Sequence, residues 1–202
     1  MRTCLPLVFL VAMVTARAQV PVSPEDVSPL LVGEEMPQAT ISTIEGTAIS
    51  TQSLWAGKKT ILIFYRGSWC PYCNTHLAEV GRIEQPLLDL GYQLIAISPD
   101  AASNLQKAID KNELKYQLYS DADMSFAKQV GIAFKAPERY NKRLVEDSDG
   151  KNLDLLLPVP SLFILDEKGI IQFEYINPNY KVRITSDLLM AVAKALATNT
   201  KN

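Results

Sequence analysis

Lys59-Thr60-Ile61-Leu62-Ile63-Phe64-Tyr65, running on into Arg66-Gly67-Ser68-Trp69-Cys70-Pro71-Tyr72-Cys73-Asn74, decides how the chain is read. The first half is a continuous apolar run rich in β-branched and aromatic residues, the pattern of a strand buried on both faces of a sheet. Beyond the second half, Leu77, Val80, Ile83, Leu87 and Leu90 recur every three or four positions, which predicts an amphipathic helix. Pro86 kinks that helix or opens a second segment, and Gly91 ends it. Cys70 and Cys73 therefore fall where a buried strand hands over to a helix, the edge at which α/β sheets collect reactive groups. A helix N-terminus offers unpaired N–H groups and about half a positive charge, both favouring a thiolate over a thiol. A free thiol titrates near ~8.5, and C-x-x-C pairs at helix starts fall to roughly 3.5–7.5. Pro71 suits the first helical position because it has no N–H to leave unpaired. Cys70, at the helix edge, is expected to be the more exposed sulfur, with Cys73 one turn on beneath it.

On either side of this stretch the pattern alternates. Residues 19–30 hold three prolines and read as an extended lead-in. Residues 39–44 and 47–50 flank Glu45-Gly46 as a small hairpin. After the long helix come a strand over 92–97, a helix over 101–112 and a short strand over 116–119. A further helix over 122–130 is capped by Asp121 or Ser120 and closed by Gly131. Residues 135–152 are charged and irregular, the expected surface insertion. Strands at 161–165 and 170–176, joined by Asp166-Glu167-Lys168-Gly169, are expected to be antiparallel, and 185–197 closes the chain as a helix. The order describes an α/β domain whose mixed central sheet is flanked by helices.

The N-terminus reads as a separate element. Arg2 precedes the apolar run Leu5 to Val14, and Ala16-Arg17-Ala18 fits a signal-peptidase site. The run is about ten residues, where a spanning helix needs roughly 20. Residues 1–18 are therefore expected to be a cleaved secretory signal, giving an exported protein, periplasmic or secreted, that does not span a membrane. Of three cysteines in 202 residues, Cys4 leaves with the signal, so the mature chain keeps Cys70 and Cys73. A formal charge of −2, with 21% charged residues, argues against a polybasic nucleic-acid binder and against a disordered chain. The mean hydropathy of +0.03 is too low for several membrane spans.

Three chemistries compete for the pair. A structural disulfide would close a very short loop, and stabilisation grows with loop length. A zinc site would need His76 and a carboxylate beside the two thiolates, since a structural site takes four ligands; no metal or other cofactor is expected. His76, the single histidine, reads as an exposed helix residue and Trp55 as core. A redox pair is the reading that uses all the local features.

Phe64 through Cys73, with Gly33-Glu34-Glu35-Met36-Pro37, Ser120-Asp121-Ala122-Asp123 and Pro160 through Gly169, resembles the peroxiredoxin-like (redoxin) branch of the alkyl hydroperoxide reductase/thiol-specific antioxidant family, in the thioredoxin superfamily. The match runs over residues 31–197, before a short tail at 198–202. The resemblance implies a thioredoxin-like fold with a redoxin-type insertion at 101–119 and an N-terminal β extension. It implies Pro160 as a cis-proline beside the pair, with the Val159 backbone free to pair with a substrate, and Trp69 and Tyr72 bordering the motif. Arg66 either favours thiolates or forms a surface ion pair.

Departures from the family pattern leave the roles open. Peroxiredoxins carry T-x-x-C with the last cysteine attacking peroxide, which here would be Cys73, with Cys70 in the threonine place. Thioredoxin logic has Cys70 attack a disulfide and Cys73 resolve. Thioredoxin's buried acid corresponds to Ile63, so any substitute, such as Glu79, must come from elsewhere. Pro71-Tyr72 implies a redox poise nearer glutaredoxins. The expected function is an exported thiol–disulfide oxidoreductase with an antioxidant role; the alternatives are a thiol peroxidase and a non-enzymatic binding module. Expected partners are a disulfide or thiol, or a hydroperoxide, and an electron donor not encoded here.

Overall fold

The computed structural model describes residues 19–112 and 116–199. The expected signal at 1–18, Cys4 and the last residues of the tail lie outside them. A seven-stranded sheet forms the centre, built from β1 (Thr40–Ser42), β2 (Ala48–Ser50), β3 (Lys59–Phe64), β4 (Tyr92–Ser98), β5 (Gln117–Ser120), β8 (Ser161–Leu165) and β9 (Ile171–Ile176). Its spatial order is β2-β1-β5-β4-β3-β8-β9. β3 runs parallel to β4 and β4 to β5, whereas β8 lies antiparallel to β3 and β9 antiparallel to β8. The hairpin β1–β2 extends the sheet beyond β5. This is a thioredoxin-like fold with an added N-terminal hairpin.

Because side chains alternate across a strand, β3 feeds two cores. Ile61, Ile63 and Tyr65 face α2 (Pro71–Arg82) and α7 (Ser186–Asn199), packing with Cys73, Leu77, Val80, Leu189 and Ala193. Leu62 and Phe64 face the other way, onto Trp55, Phe126 and Val130. Trp55 is buried as expected and stacks on Phe126 at 6.2 Å. Phe126 and Val130 belong to α5 (Ser125–Val130), which starts later than its periodicity suggested. Asp121 reaches forward to accept the Phe126 and Ala127 N–H groups at 3.0 and 2.8 Å, so it caps the helix without being adjacent to it.

The long helix breaks at Ile83, before Pro86: α3 (Glu84–Asp89) is a separate segment that carries Pro86 in its first turn, where the missing N–H costs nothing. α4 (Ala102–Asn112) then leads to β5. Between α5 and β8 the sequence reading departs most from the structure. β6 (Ala133–Lys135) pairs antiparallel with β7 (Leu156–Pro158), and the segment between them is ordered: a 3-10 turn at Glu138–Tyr140 and α6 (Asn141–Asp147). Its charges occupy the outer face, while Leu144 packs inward with Phe134, Leu157 and Val159. The lead-in is also docked, since Pro21 accepts the Lys135 N–H at 2.9 Å and Val130 accepts that of Leu30 at 3.1 Å.

Candidate active site

Cys70 is the N-cap of α2, with extended backbone (φ −84°, ψ 113°), and Pro71 takes the first helical position. The Cys70 carbonyl accepts the Cys73 and Asn74 N–H groups at 3.1 Å each, which closes the first turn and places both sulfurs on one side of it. The loop before the motif is fixed from β4. Asp100 accepts the Ser68 N–H at 2.7 Å, and Asn74 Nδ2 donates to the Ser68 carbonyl at 2.9 Å. Gly67 (φ +133°) makes this approach possible: a Cβ there would lie 2.5 Å from Trp69 Nε1 and 2.8 Å from Asp100 Oδ1.

Both cysteines are free thiols. Cys70 is the more accessible of the two by a narrow margin, and both are buried: it is 1% accessible and Cys73 0%. Trp69 packs among the residues around Cys70 and is itself covered by Tyr140, with ring centroids 5.0 Å apart. Tyr140 comes from the insertion, so the segment read as irregular surface is the roof of the site. Tyr72 is exposed on the rim, edge-to-face with Tyr180 at 5.7 Å.

Arg66 is buried and makes none of the ion pairs found among the described residues. Its guanidinium lies 4.2 Å from the Tyr180 ring centroid, 4.9 Å from Tyr140 and 5.0 Å from Trp69. Three rings from three segments hold the charge by cation–π attraction. The charge thus faces inward and not into a surface ion pair, and it is one of the lesser causes favouring the Cys70 thiolate. A hydrogen bond from Cys73 is the main cause that lowers the Cys70 thiol to about 6 against the cost of burial, assisted by the Cys73 N–H and by the Arg66 and Arg183 charges. Burial, together with that donated proton, pushes the Cys73 thiol well up. The resting pair thus holds one proton and one negative charge.

Arg183, in the loop before α7, points its Nη2 at Cys73 Sγ, 3.6 Å away. His76 is not exposed as expected but buried, because it falls on the same face of α2 as Cys73. Burial and the Arg183 charge hold its imidazole down to about 4, so it is neutral at pH 7. No described peptide bond is cis, so Pro160 follows a trans bond and not the expected cis one. The Val159 backbone is not open to a substrate either. Its N–H donates to the Ile132 carbonyl at 2.8 Å and its carbonyl accepts the Ser161 hydroxyl at 2.8 Å, because the β6–β7 ladder has claimed that edge. Pro160 instead walls a cavity of about 480 Å³ with Arg66, Phe134, Arg139 and Tyr180, to which Pro24 and Glu25 of the lead-in contribute.

Of the expected site residues, the structure brings Arg66, Trp69, Cys70, Pro71 and Cys73 together, joins Pro160 to Arg66 at the cavity wall and leaves Tyr72 on the rim. Sequence reasoning missed Arg183, Tyr140, Tyr180 and Asp100. Asp100 is a buried acid beside the motif, raised to about 6 mainly by burial, while Glu79 makes no side-chain bond to either cysteine among those found.

A thioredoxin-like fold with a buried C-x-x-C pair at a helix start defines the class: a thiol-dependent oxidoreductase. The chain belongs to the AhpC/TSA family, whose sequence profile matches residues 32–174. A putative peroxiredoxin bcp of Haemophilus influenzae is 33% identical over 105 residues, spanning 52% of this chain and 67% of that protein. A second one, from Coxiella burnetii, is 29% identical over 140 residues, covering 69% and 84%. Among solved structures, reduced Prx3 of Vibrio vulnificus in complex with hydrogen peroxide superposes with a TM-score of 0.69 at 18% identity, over 81% of this chain and 99% of that one. The peroxidoxin BcpB of Mycobacterium tuberculosis gives 0.66 at 17% identity, over 85% and 98%.

Proposed function

We propose that the protein is a thiol peroxidase that reduces hydroperoxides at the Cys70/Cys73 pair, with Cys73 as the attacking sulfur. The observation that carries this reading is burial. Both cysteines are buried, with Trp69 packed against their cluster and Tyr140 over Trp69, which keeps another protein's disulfide away from them. The main expectation from sequence, attack by the Cys70 thiolate on a partner disulfide, fits this burial less well. Moving the shared proton from Cys73 to Cys70 puts the thiolate opposite Arg183. It then attacks the peroxide: the O–O bond breaks, Cys73 becomes a sulfenic acid, and the alkoxide takes the proton that Cys70 holds. The Cys70 thiolate so formed displaces hydroxide from Cys73, closing the disulfide, and a solvent proton completes the water. One hydroperoxide yields one alcohol and one water, and the two thiols supply both electrons.

The test is oxidation of the fully reduced protein by one equivalent of hydrogen peroxide. The expected product is an intramolecular disulfide, seen by mass spectrometry as the loss of two hydrogens per chain. Because the pair loses its first proton near the Cys70 value of about 6, the oxidation rate is expected to fall about tenfold per pH unit below 6 and to level off above it. An inert pair, or oxidation only at millimolar peroxide over hours, rules the reading out. We further propose, on the signal-like sequence of residues 1–18, that the reaction takes place outside the cytoplasm after their removal. Amino-terminal sequencing of the secreted or periplasmic protein is expected to begin at Gln19; a cytosolic protein that keeps Met1 counts against export.

A further inference from the structure

We propose that His76, which the reaction at the pair does not itself use, is a positioning residue: through one shared water it holds the Arg183 guanidinium against Cys73 Sγ. The inference rests on Cys73 being the attacking sulfur, as above, and adds the group that keeps its neighbouring cation in place. His76 follows Cys73 by three positions in α2, so the two side chains leave the helix on one face, one turn apart. Arg183 arrives from the loop before α7 and reaches both places. Its Nη2 lies 3.6 Å from Cys73 Sγ, and it shares with His76 the wall of a chamber of about 10 Å³ that Phe64, Pro160, Leu162 and Ile184 also line.

Both side chains have bonding capacity to spare. His76 is 6% accessible, and no protein group among the described residues bonds its Nε2. Native interiors seldom leave a buried ring nitrogen unbonded. Arg183 belongs to no ion pair among the described residues; its Nη1 donates to the adjacent Val182 carbonyl at 2.9 Å, and its contact with the sulfur is long. An arginine on a loop, tied only in this way, keeps several rotamers open.

One water satisfies both. A chamber must offer roughly 10–15 Å³ to admit a water molecule, and this one is of that size. Arg183 can only donate, so it donates to the water oxygen, and the water donates to Nε2. The bridge requires a neutral imidazole with its lone pair on Nε2 and its proton on Nδ1. Burial and the Arg183 charge supply the neutrality, since they hold the ring down to about 4. With the guanidinium anchored on that side, Nη2 stays turned to Cys73 as the thiolate forms.

His76 is the only histidine in the sequence, so its ring alone gives the imidazole nitrogen spectrum. In the reduced protein at pH 7, long-range proton–nitrogen NMR is expected to show the proton on Nδ1, and the Nε2 signal to move in Arg183→Leu. An Nε2–H tautomer, or an Nε2 signal indifferent to Arg183→Leu, overturns the proposal whether or not the protein consumes peroxide. Oxidation of the reduced pair by one equivalent of hydrogen peroxide gives the second readout. His76→Leu is expected to slow disulfide closure about tenfold, and His76→Gln, which restores an acceptor, by no more than about twofold. In the Arg183→Leu background, adding His76→Leu is expected to cost less than about twofold more, because the two residues act as one unit. The same tenfold loss with and without Arg183, or a His76→Gln variant as slow as His76→Leu, means that His76 only packs the helix and overturns the proposal. A wild-type pair inert to peroxide defeats the reading of the reaction, and the nitrogen spectrum still decides the bridge.

Discussion

Cys73→Ser is expected to abolish hydroperoxide reduction by at least about a thousandfold, whereas Cys70→Ser keeps a first turnover and loses the second. The asymmetry follows from what surrounds each sulfur. Cys73 Sγ faces the Arg183 guanidinium, which stabilises the thiolate as it forms and the charge passing to the leaving oxygen. Cys70 lies at the N-cap, and in the proposed mechanism it would supply the resting base, the proton for the alkoxide and the second sulfur of the disulfide. With serine at position 70, Cys73 still reaches the sulfenic acid, at a rate reduced by the loss of the internal base, and stops there because no thiol resolves it. Stopped-flow mixing with peroxide, followed by dimedone trapping, reads both stages. A labelled Cys73 in Cys70→Ser and an inert Cys70 in Cys73→Ser is the expected pair of results. The reverse pattern would mean that the low-lying Cys70 thiolate attacks first, which is the thioredoxin order of events. Neither substitution changes the fold much, because serine fills nearly the same space in the first turn of α2.

What the sequence disclosed divides by range. β3, α2 and the position of the pair were legible because they depend on local pattern: an apolar run, a period of three to four, and a proline suited to the first helical position. The roof over the site was not. Glu138–Tyr140 and Asn141–Asp147 read as polar and irregular because their apolar contacts are few, and what Tyr140 packs on is a tryptophan and an arginine some 70 residues away in sequence. Cation–π contacts leave no periodicity, so Arg66 read equally well as a surface charge. Arg183 was hidden for a related reason. It sits in a loop whose path is set by how α7 docks on β3 and β8, and only that docking aims it at Cys73. His76 was misread because Cys73 and His76 share a face of α2, and a polar residue was assigned to the outside. The cis-Pro160 expectation came from resemblance alone. In the structure the β6–β7 ladder takes the Val159 N–H, so this edge is already paired.

That ladder, together with the docked lead-in, also accounts for the second large effect. Gly131→Ala is expected to cost about 2–4 kcal/mol, against about 1 kcal/mol for Gly57→Ala. The two glycines have nearly the same backbone, φ +78° and φ +73°, so the conformational penalty for an L residue is common to both. Their surroundings differ. Nothing lies within 4 Å of a Cβ at Gly57, whereas at Gly131 the new carbon would sit 2.0 Å from the Ser28 carbonyl oxygen, a backbone atom held by the docking of Leu30 on Val130. Residues 19–30 must therefore lift away. With them go Pro24 and Glu25 from the cavity wall and the main-chain bond between Pro21 and Lys135. For a domain of this size the melting temperature is expected to drop by roughly 4–16 °C in Gly131→Ala and by about 2–4 °C in Gly57→Ala. Limited proteolysis should cut within residues 19–30 in the first variant alone. Equal losses in the two variants would show that strain at the glycine, and not the seat of the lead-in, limits stability there. In that case the lead-in is a passive strand, and the cavity beside Arg66 keeps its shape without it.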